Sequence, residues 1–214
     1  MKNKILDKNN IELIGQLSER TTSFINYTNN CEYIETSIIV RRLSKTKLEC
    51  DEFIINLPAS LYYDVIDAAE TITPIVKIKG EIRTYSIVEN DVSHLKLLIF
   101  VKELRCTNEP DKCEVHFDGT ICKLNNLRTT PSGKTICDFI IANNHSPYKT
   151  AYVPSIAWEK LAKEFAKQKV GTKVCTTGVL HQRHYLKWID DVQYVKTTYE
   201  YSVDDCTFYN KETK

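Results

Sequence analysis

Apolar and polar residues alternate in short runs along most of the chain, and the runs come in two matching sets. Ile11 to Leu17 reads IELIGQL and Val115 to Ile121 reads VHFDGTI, each built around one glycine, Gly15 or Gly119. Ile75 to Ile82 (IVKIKGEI) and Lys173 to Leu180 (KVCTTGVL) form a second such pair, around Gly80 and Gly178. Between them Ser37 to Val40 corresponds to Phe139 to Ala142, and Phe53 to Leu57 to Val153 to Ala157. Alternation with a period of two predicts half-buried β-strands. In each half the third strand is followed by a change of period. Leu61, Val65, Ile66 and Ala69 in one half, and Trp158, Leu161, Ala162 and Phe165 in the other, predict an amphipathic helix of about ten residues. Leu95 to Val101 and Tyr199 to Val203 supply a closing strand for each half.

The order is therefore strand, strand, strand, helix, strand, strand, twice over, and self-similarity at a fixed spacing marks a repeated unit. Four of the six glycines fall at matching strand positions. A glycine inside a strand marks a bend or a close backbone approach, as a small closed barrel requires. The expected fold is all-β. It consists of two OB-fold, five-stranded Greek-key barrels, each with one helix after strand three. The expected divisions are barrel one over 1–105, a polar linker over 106–113 containing Pro110, and barrel two over 114–214.

Composition narrows this only a little. The chain has 214 residues, 42% hydrophobic and 27% charged, the range of a globular protein. No run of about 18 apolar residues occurs, and Asp7 and Glu12 interrupt the N-terminal stretch, against a membrane-spanning helix or a secretory signal. Eight cysteines without any CxxC pair argue for buried, reduced thiols in a cytosol rather than a disulfide framework or a zinc ribbon. The net charge is +1, with a slight basic bias after residue 105.

The motifs of catalysis are missing. His181 and His184 form an HxxH without the glutamate and helix of a zinc protease, and on a strand they face opposite sides. Neither a P-loop, nor a GxSxG, nor a dinucleotide fingerprint occurs. No enzymatic activity, cofactor or metal is expected.

Residues 114 to 208 resemble the bacterial single-stranded DNA-binding protein family. The resemblance rests on VHFDGTI, on LRTTPSGKTICDFIIAN from Leu127 to Asn143, and on YVPSIAWEKLAKEFAKQKVGTKVCTTGVLHQRHY from Tyr152 to Tyr185. The first half is similar only in strand pattern and glycines, so the chain resembles a two-OB version of the family. That resemblance implies binding of single-stranded DNA in replication, recombination or repair, a cytoplasmic, nucleoid-associated location, and a homodimer bringing four OB-folds together. It implies stacking of bases on Tyr152, Trp158 and Tyr185, with Tyr148 close to a fourth such position. Every base has a π face, so stacking of this kind tolerates any sequence. Trp188 lies in HQRHYLKWIDDVQY, where basic and aromatic residues interleave, and joins the stacking candidates. Arg128, Lys134, Lys149, Arg183 and Lys187 are the phosphate candidates of the second half, and Arg41, Arg42 and Arg83 those of the first. The family's acidic tip has no counterpart in the final TFYNKETK, which weighs against recruiting replication proteins through such a tip. Two alternatives carry the same fold: a primosome-like assembly factor working through protein contacts, and an RNA-binding OB protein.

Overall fold

The computed structural model describes residues 7–43, 47–89, 92–146, 149–189 and 192–209. Among them are twelve strands and two helices: β1 (Asn9–Leu17), β2 (Thr22–Asn26), β3 (Cys31–Leu43), β4 (Leu48–Pro58), α1 (Ala59–Ala68), β5 (Ile75–Glu89), β6 (Val92–Cys106), β7 (Lys112–Leu124), β8 (Arg128–Thr129), β9 (Thr135–Ser146), β10 (Lys149–Trp158), α2 (Glu159–Phe165), β11 (Lys173–Ile189) and β12 (Val192–Tyr209). The fold is all-β, as the alternating runs predicted.

Each half closes on itself. In the first, β1 pairs with β3 and β5, β3 with β4, β4 in parallel with β6, and β6 with β5. In the second, β7 pairs with β9 and β11, β9 with β10, β10 in parallel with β12, and β12 with β11. These are two five-stranded barrels of one topology. A short strand is added to the second strand of each, β2 on β3 and β8 on β9.

The matching glycines mark close backbone approaches. A Cβ at Gly80 would run into the Phe100 carbonyl, and one at Gly178 into the Ser202 carbonyl. Inward positions of the first barrel bury Leu13, Ile38, Phe53, Ile55, Ile78 and Ile99. Those of the second bury Phe117, Ile141, Val153, Leu180 and Tyr201. Phe165 of α2 stacks on Phe139 with ring centroids 4.1 Å apart and so plugs the second barrel. Each such side chain contributes about 1.5–3 kcal/mol on burial. The Tyr201 hydroxyl donates to Thr176 Oγ1 (3.1 Å), whose own hydroxyl donates to the Phe117 carbonyl (2.6 Å), so the buried phenol is satisfied.

The elements depart from the sequence reading in three places. Helix α2 has seven residues rather than about ten, because Trp158 keeps extended backbone (φ −117, ψ 146) and ends β10 instead of starting the helix. Strands β5, β6, β11 and β12 run on as long ribbons beyond their barrels' apolar runs. Finally, the cysteines are not generally buried. All eight are free, but Cys31, Cys50, Cys106 and Cys122 are exposed and only Cys137 is fully buried. Most occupy strand positions of outward or mixed parity, where a small side chain need not be covered.

The chain divides into two compact units. One holds residues 10–83 and 97–114; the other holds 1–9, 84–96 and 115–214. In the second unit the N-terminal segment is bound by polar contacts. Asn143, with 0% of its surface exposed, donates to the carbonyls of Lys8 (2.7 Å) and Asp118 (2.6 Å). The Asp118 N–H also donates to the Lys8 carbonyl (2.9 Å), and Asp7 accepts from the Asn144 N–H (2.9 Å). A buried amide left without these partners would cost about 1–3 kcal/mol.

Candidate nucleic-acid interface

Strand alternation sorts the candidate side chains. Along β10, Ala151, Val153 and Ser155 point inward and are buried, so Tyr152, Pro154 and Trp158 point outward. Tyr152 stands opposite the small Ala142 of β9 and keeps 48% of its surface exposed. Trp158 is half-buried. Its indole N–H donates to Ser202 Oγ on β12 (3.1 Å), while the Lys134 ammonium lies 5.6 Å from its ring centroid. Parallel pairing of Ile156 with Ser202 carries the outward face across to β12, where Glu200 and Thr198 follow Ser202 at alternate positions. Antiparallel pairing carries it on to β11, with His181 opposite Glu200, Arg183 opposite Thr198 and Tyr185 opposite Lys196. Tyr185 is 50% exposed. Tyr152, Trp158, Arg183 and Tyr185 thus share one outward face.

Trp188 does not join them. It is 66% exposed, but it lies three residues beyond Tyr185 and so on the opposite side of the β11–β12 ribbon. There it shares a face with Leu186 and Val195, which are directly paired and both exposed. Tyr148 lies outside the described residues, as does the side chain of Lys187. Lys149 is exposed at the start of β10.

The two arginines of this face are already engaged. Arg128 forks onto Asp138 through Nε (2.6 Å) and Nη2 (3.1 Å). Its hydrogen bonds to Asp138 favour its protonated form further against the opposing effect of burial, and the negative charges of Asp138 and Glu200 add to this. Arg183 grips Glu200 through Nε (2.8 Å) and Nη2 (2.6 Å). Exposed pairs of this kind are worth at most about 1 kcal/mol, so a phosphate can take the carboxylate's place or share the guanidinium at little cost.

The outward face of the first barrel is built differently. Phe24 of β2, Tyr33 of β3 and Phe100 of β6 lie in contact. Centroids are 5.9 Å apart for Phe24 and Tyr33 (22° between planes) and 5.9 Å for Tyr33 and Phe100 (44°). The Arg83 guanidinium covers Phe100 at 3.5 Å from its centroid and donates through Nε to Glu81 (2.7 Å). Burial pushes the Glu81 carboxyl up, but hydrogen bonds from Lys102 and Arg83 overcome this and hold it below the ordinary carboxylate range. Arg41 donates to Gln16 (2.6 Å), and its backbone N–H to Asp111 (2.6 Å). Arg42 pairs with the buried Asp51 (2.9 Å) and with Glu49. Sequence reasoning passed over Phe24 and Phe100. Phe100 was legible, since it alternates with the apolar Ile99 and Val101; Phe24 sits in TSFIN, too polar and short to read as a strand.

Residues 113–209 match the model of the single-strand binding protein family. The match covers the C-terminal barrel. No curated protein matches the chain in a sequence search. Among solved structures, the wild-type single-stranded DNA-binding protein of Thermus aquaticus superimposes with a TM-score of 0.77 at 12% identity, covering 98% of this chain and 97% of that one. A deletion mutant of the same protein gives 0.76 at 12% identity, covering 98% of each. At that identity the likeness is one of fold, and it extends over both barrels.

Proposed function

We propose that the chain is a non-enzymatic, sequence-tolerant binder of single-stranded DNA, and that the outward face of its second barrel is the main contact surface. The observation that carries this reading is the exposure of two separate aromatic rings, Tyr152 and Tyr185, on one face that also bears Trp158, Lys134, Arg128 and Arg183. Bases stack on Tyr152, Tyr185 and the open side of Trp158, each stack contributing about 1–3 kcal/mol. Lys134, Lys149 and the two arginines neutralise phosphates and release counterions, so affinity falls as salt rises. The family match of the second half and the two-barrel likeness to a single-stranded DNA-binding protein support the substrate class. The proposed setting is the cytoplasm, at single strands exposed in replication, recombination or repair. The proposed assembly is a homodimer, which brings four barrels together.

Both tryptophans, Trp158 and Trp188, belong to the second half. Titration with oligo(dT) is expected to quench the Trp158 emission, with an affinity that falls as salt is added. An unchanged spectrum together with no measurable binding by a folded chain would refute the reading. A parallel titration with oligo(U) separates DNA from RNA preference. A second reading, an assembly factor working through protein contacts, draws on the other side of the β11–β12 ribbon, where Leu186, Trp188 and Val195 are exposed together. It predicts that Leu186→Ser and Val195→Ser leave oligo(dT) binding unchanged while abolishing self-association or partner capture.

A further inference from the structure

Within its own barrel the backbone at Tyr152 is paired on one side only, opposite Ala142 of β9. The β9–β10 ladder is irregular between Lys149 and Ala151, just before Tyr152. The parallel β10–β12 ladder begins only at Ser155, paired with Tyr201, just after it. Between these two points the Tyr152 N–H donates to the side-chain oxygen of Thr84 at 2.8 Å. Thr84 lies on β5, and residues 84–96 belong to the same compact unit as residues 115–214. A strand N–H on an unpaired side otherwise turns to water.

From this geometry we infer that Thr84 is a positioning residue for single-strand binding: its hydroxyl fixes the Tyr152 backbone so that the ring stands outward, ready for a base. A residue of the N-terminal half is therefore a working part of the surface formed by the family-matched half. The inference rests on the stacking role proposed above for Tyr152. A ring fixed before binding loses less conformational freedom when a base stacks on it, which is where the gain in affinity arises.

The test uses the full chain and oligo(dT). Thr84→Val keeps the shape and removes the acceptor; it is expected to weaken affinity about fivefold, the scale of one lost hydrogen bond. Thr84→Ser, which keeps the hydroxyl, is expected to restore wild-type affinity. In a Tyr152→Ala background, Thr84→Val is expected to change nothing further, because the ring it positions is gone. A general structural role would weaken binding equally in both backgrounds, and that result overturns the inference. Wild-type affinity for Thr84→Val, beside a weakened Tyr152→Ala, also overturns it and leaves the stacking reading standing. Wild-type affinity for Tyr152→Ala overturns both. Hydrogen exchange at the Tyr152 amide gives a check that needs no variant. Slow exchange is expected, and exchange as fast as at a solvated strand edge contradicts the inference.

Discussion

The two barrels share strand order, closing pairings and the position of their helix, yet their outward faces do opposite things with aromatic rings. In the first, Phe24, Tyr33 and Phe100 are in contact with one another, and Arg83 covers the last ring. In the second, Tyr152 and Tyr185 stand apart, each about half exposed. A ring packed on another ring has given its face to the fold; a ring alone offers that face to a ligand. Topology is common to both barrels, so on the reading proposed above they differ in which outward positions find partners.

The comparison predicts a split in how aromatic truncations behave. Phe100→Ala is expected to destabilise the first barrel by about 2–3 kcal/mol, below the 3–5 kcal/mol of a fully buried phenylalanine because the ring is half-covered, while oligo(dT) affinity stays near wild type. Chemical denaturation beside a binding titration checks this. A variant of full stability that binds poorly would mean that the first face is open after all. Tyr185→Ala is the mirror case: a loss of about 1–3 kcal/mol in oligo(dT) affinity, with the unfolding midpoint unmoved.

Smaller effects sharpen the electrostatic side. Glu200→Gln releases Arg183 and removes a negative charge that Arg128 also feels, so oligo(dT) is expected to bind a few-fold tighter, by less than about 1 kcal/mol. Weaker binding would show that Glu200 orients Arg183 rather than competing for it.

The smallest effect near neutrality is acid sensitivity, and it differs between the barrels. For Glu12, burial raises the carboxyl but hydrogen bonds from Lys112 and Lys77 prevail; Glu81 is held low by Lys102 and Arg83 in the same way. Carboxylates held low in the folded state stabilise it above the ordinary carboxylate range, and that stability is lost as pH falls through their lowered values. In the second half, burial raises Asp204, which has the opposite sign: its ionised form is disfavoured by folding, so acid relieves a penalty. On acidification the far-UV circular dichroism is expected to fall before the tryptophan emission shifts, because both tryptophans report the second half. Coincident transitions would refute the asymmetry.

Much of the fold was legible because barrels announce themselves by period-two alternation, and because Gly80 and Gly178 mark the same carbonyl approach in each half. The ends of the ribbons were not, since β11 and β12 leave the barrel and lose their one-sided apolar pattern. In the site, the family resemblance named Tyr152, and the burial pattern along β10 turns it outward. Strand parity separates Trp188 from Tyr185. What the chain alone does not display is cross-strand register, and register decides the partners. Arg128 meets Asp138, Arg183 meets Glu200, and Thr84 meets Tyr152 across 68 positions of sequence. Phe24 went unread because TSFIN is too short and polar to read as a strand, and its place beside Tyr33 follows from the pairing of β2 with β3.

The most direct test is the affinity of the wild-type chain and of Tyr152→Ala for oligo(dT), each measured at two salt concentrations. The account predicts that both lose affinity as salt rises, with the variant weaker by a similar factor at each salt, since stacking does not release counterions. Equal affinities for the two proteins, or no binding by a folded wild-type chain, would contradict it.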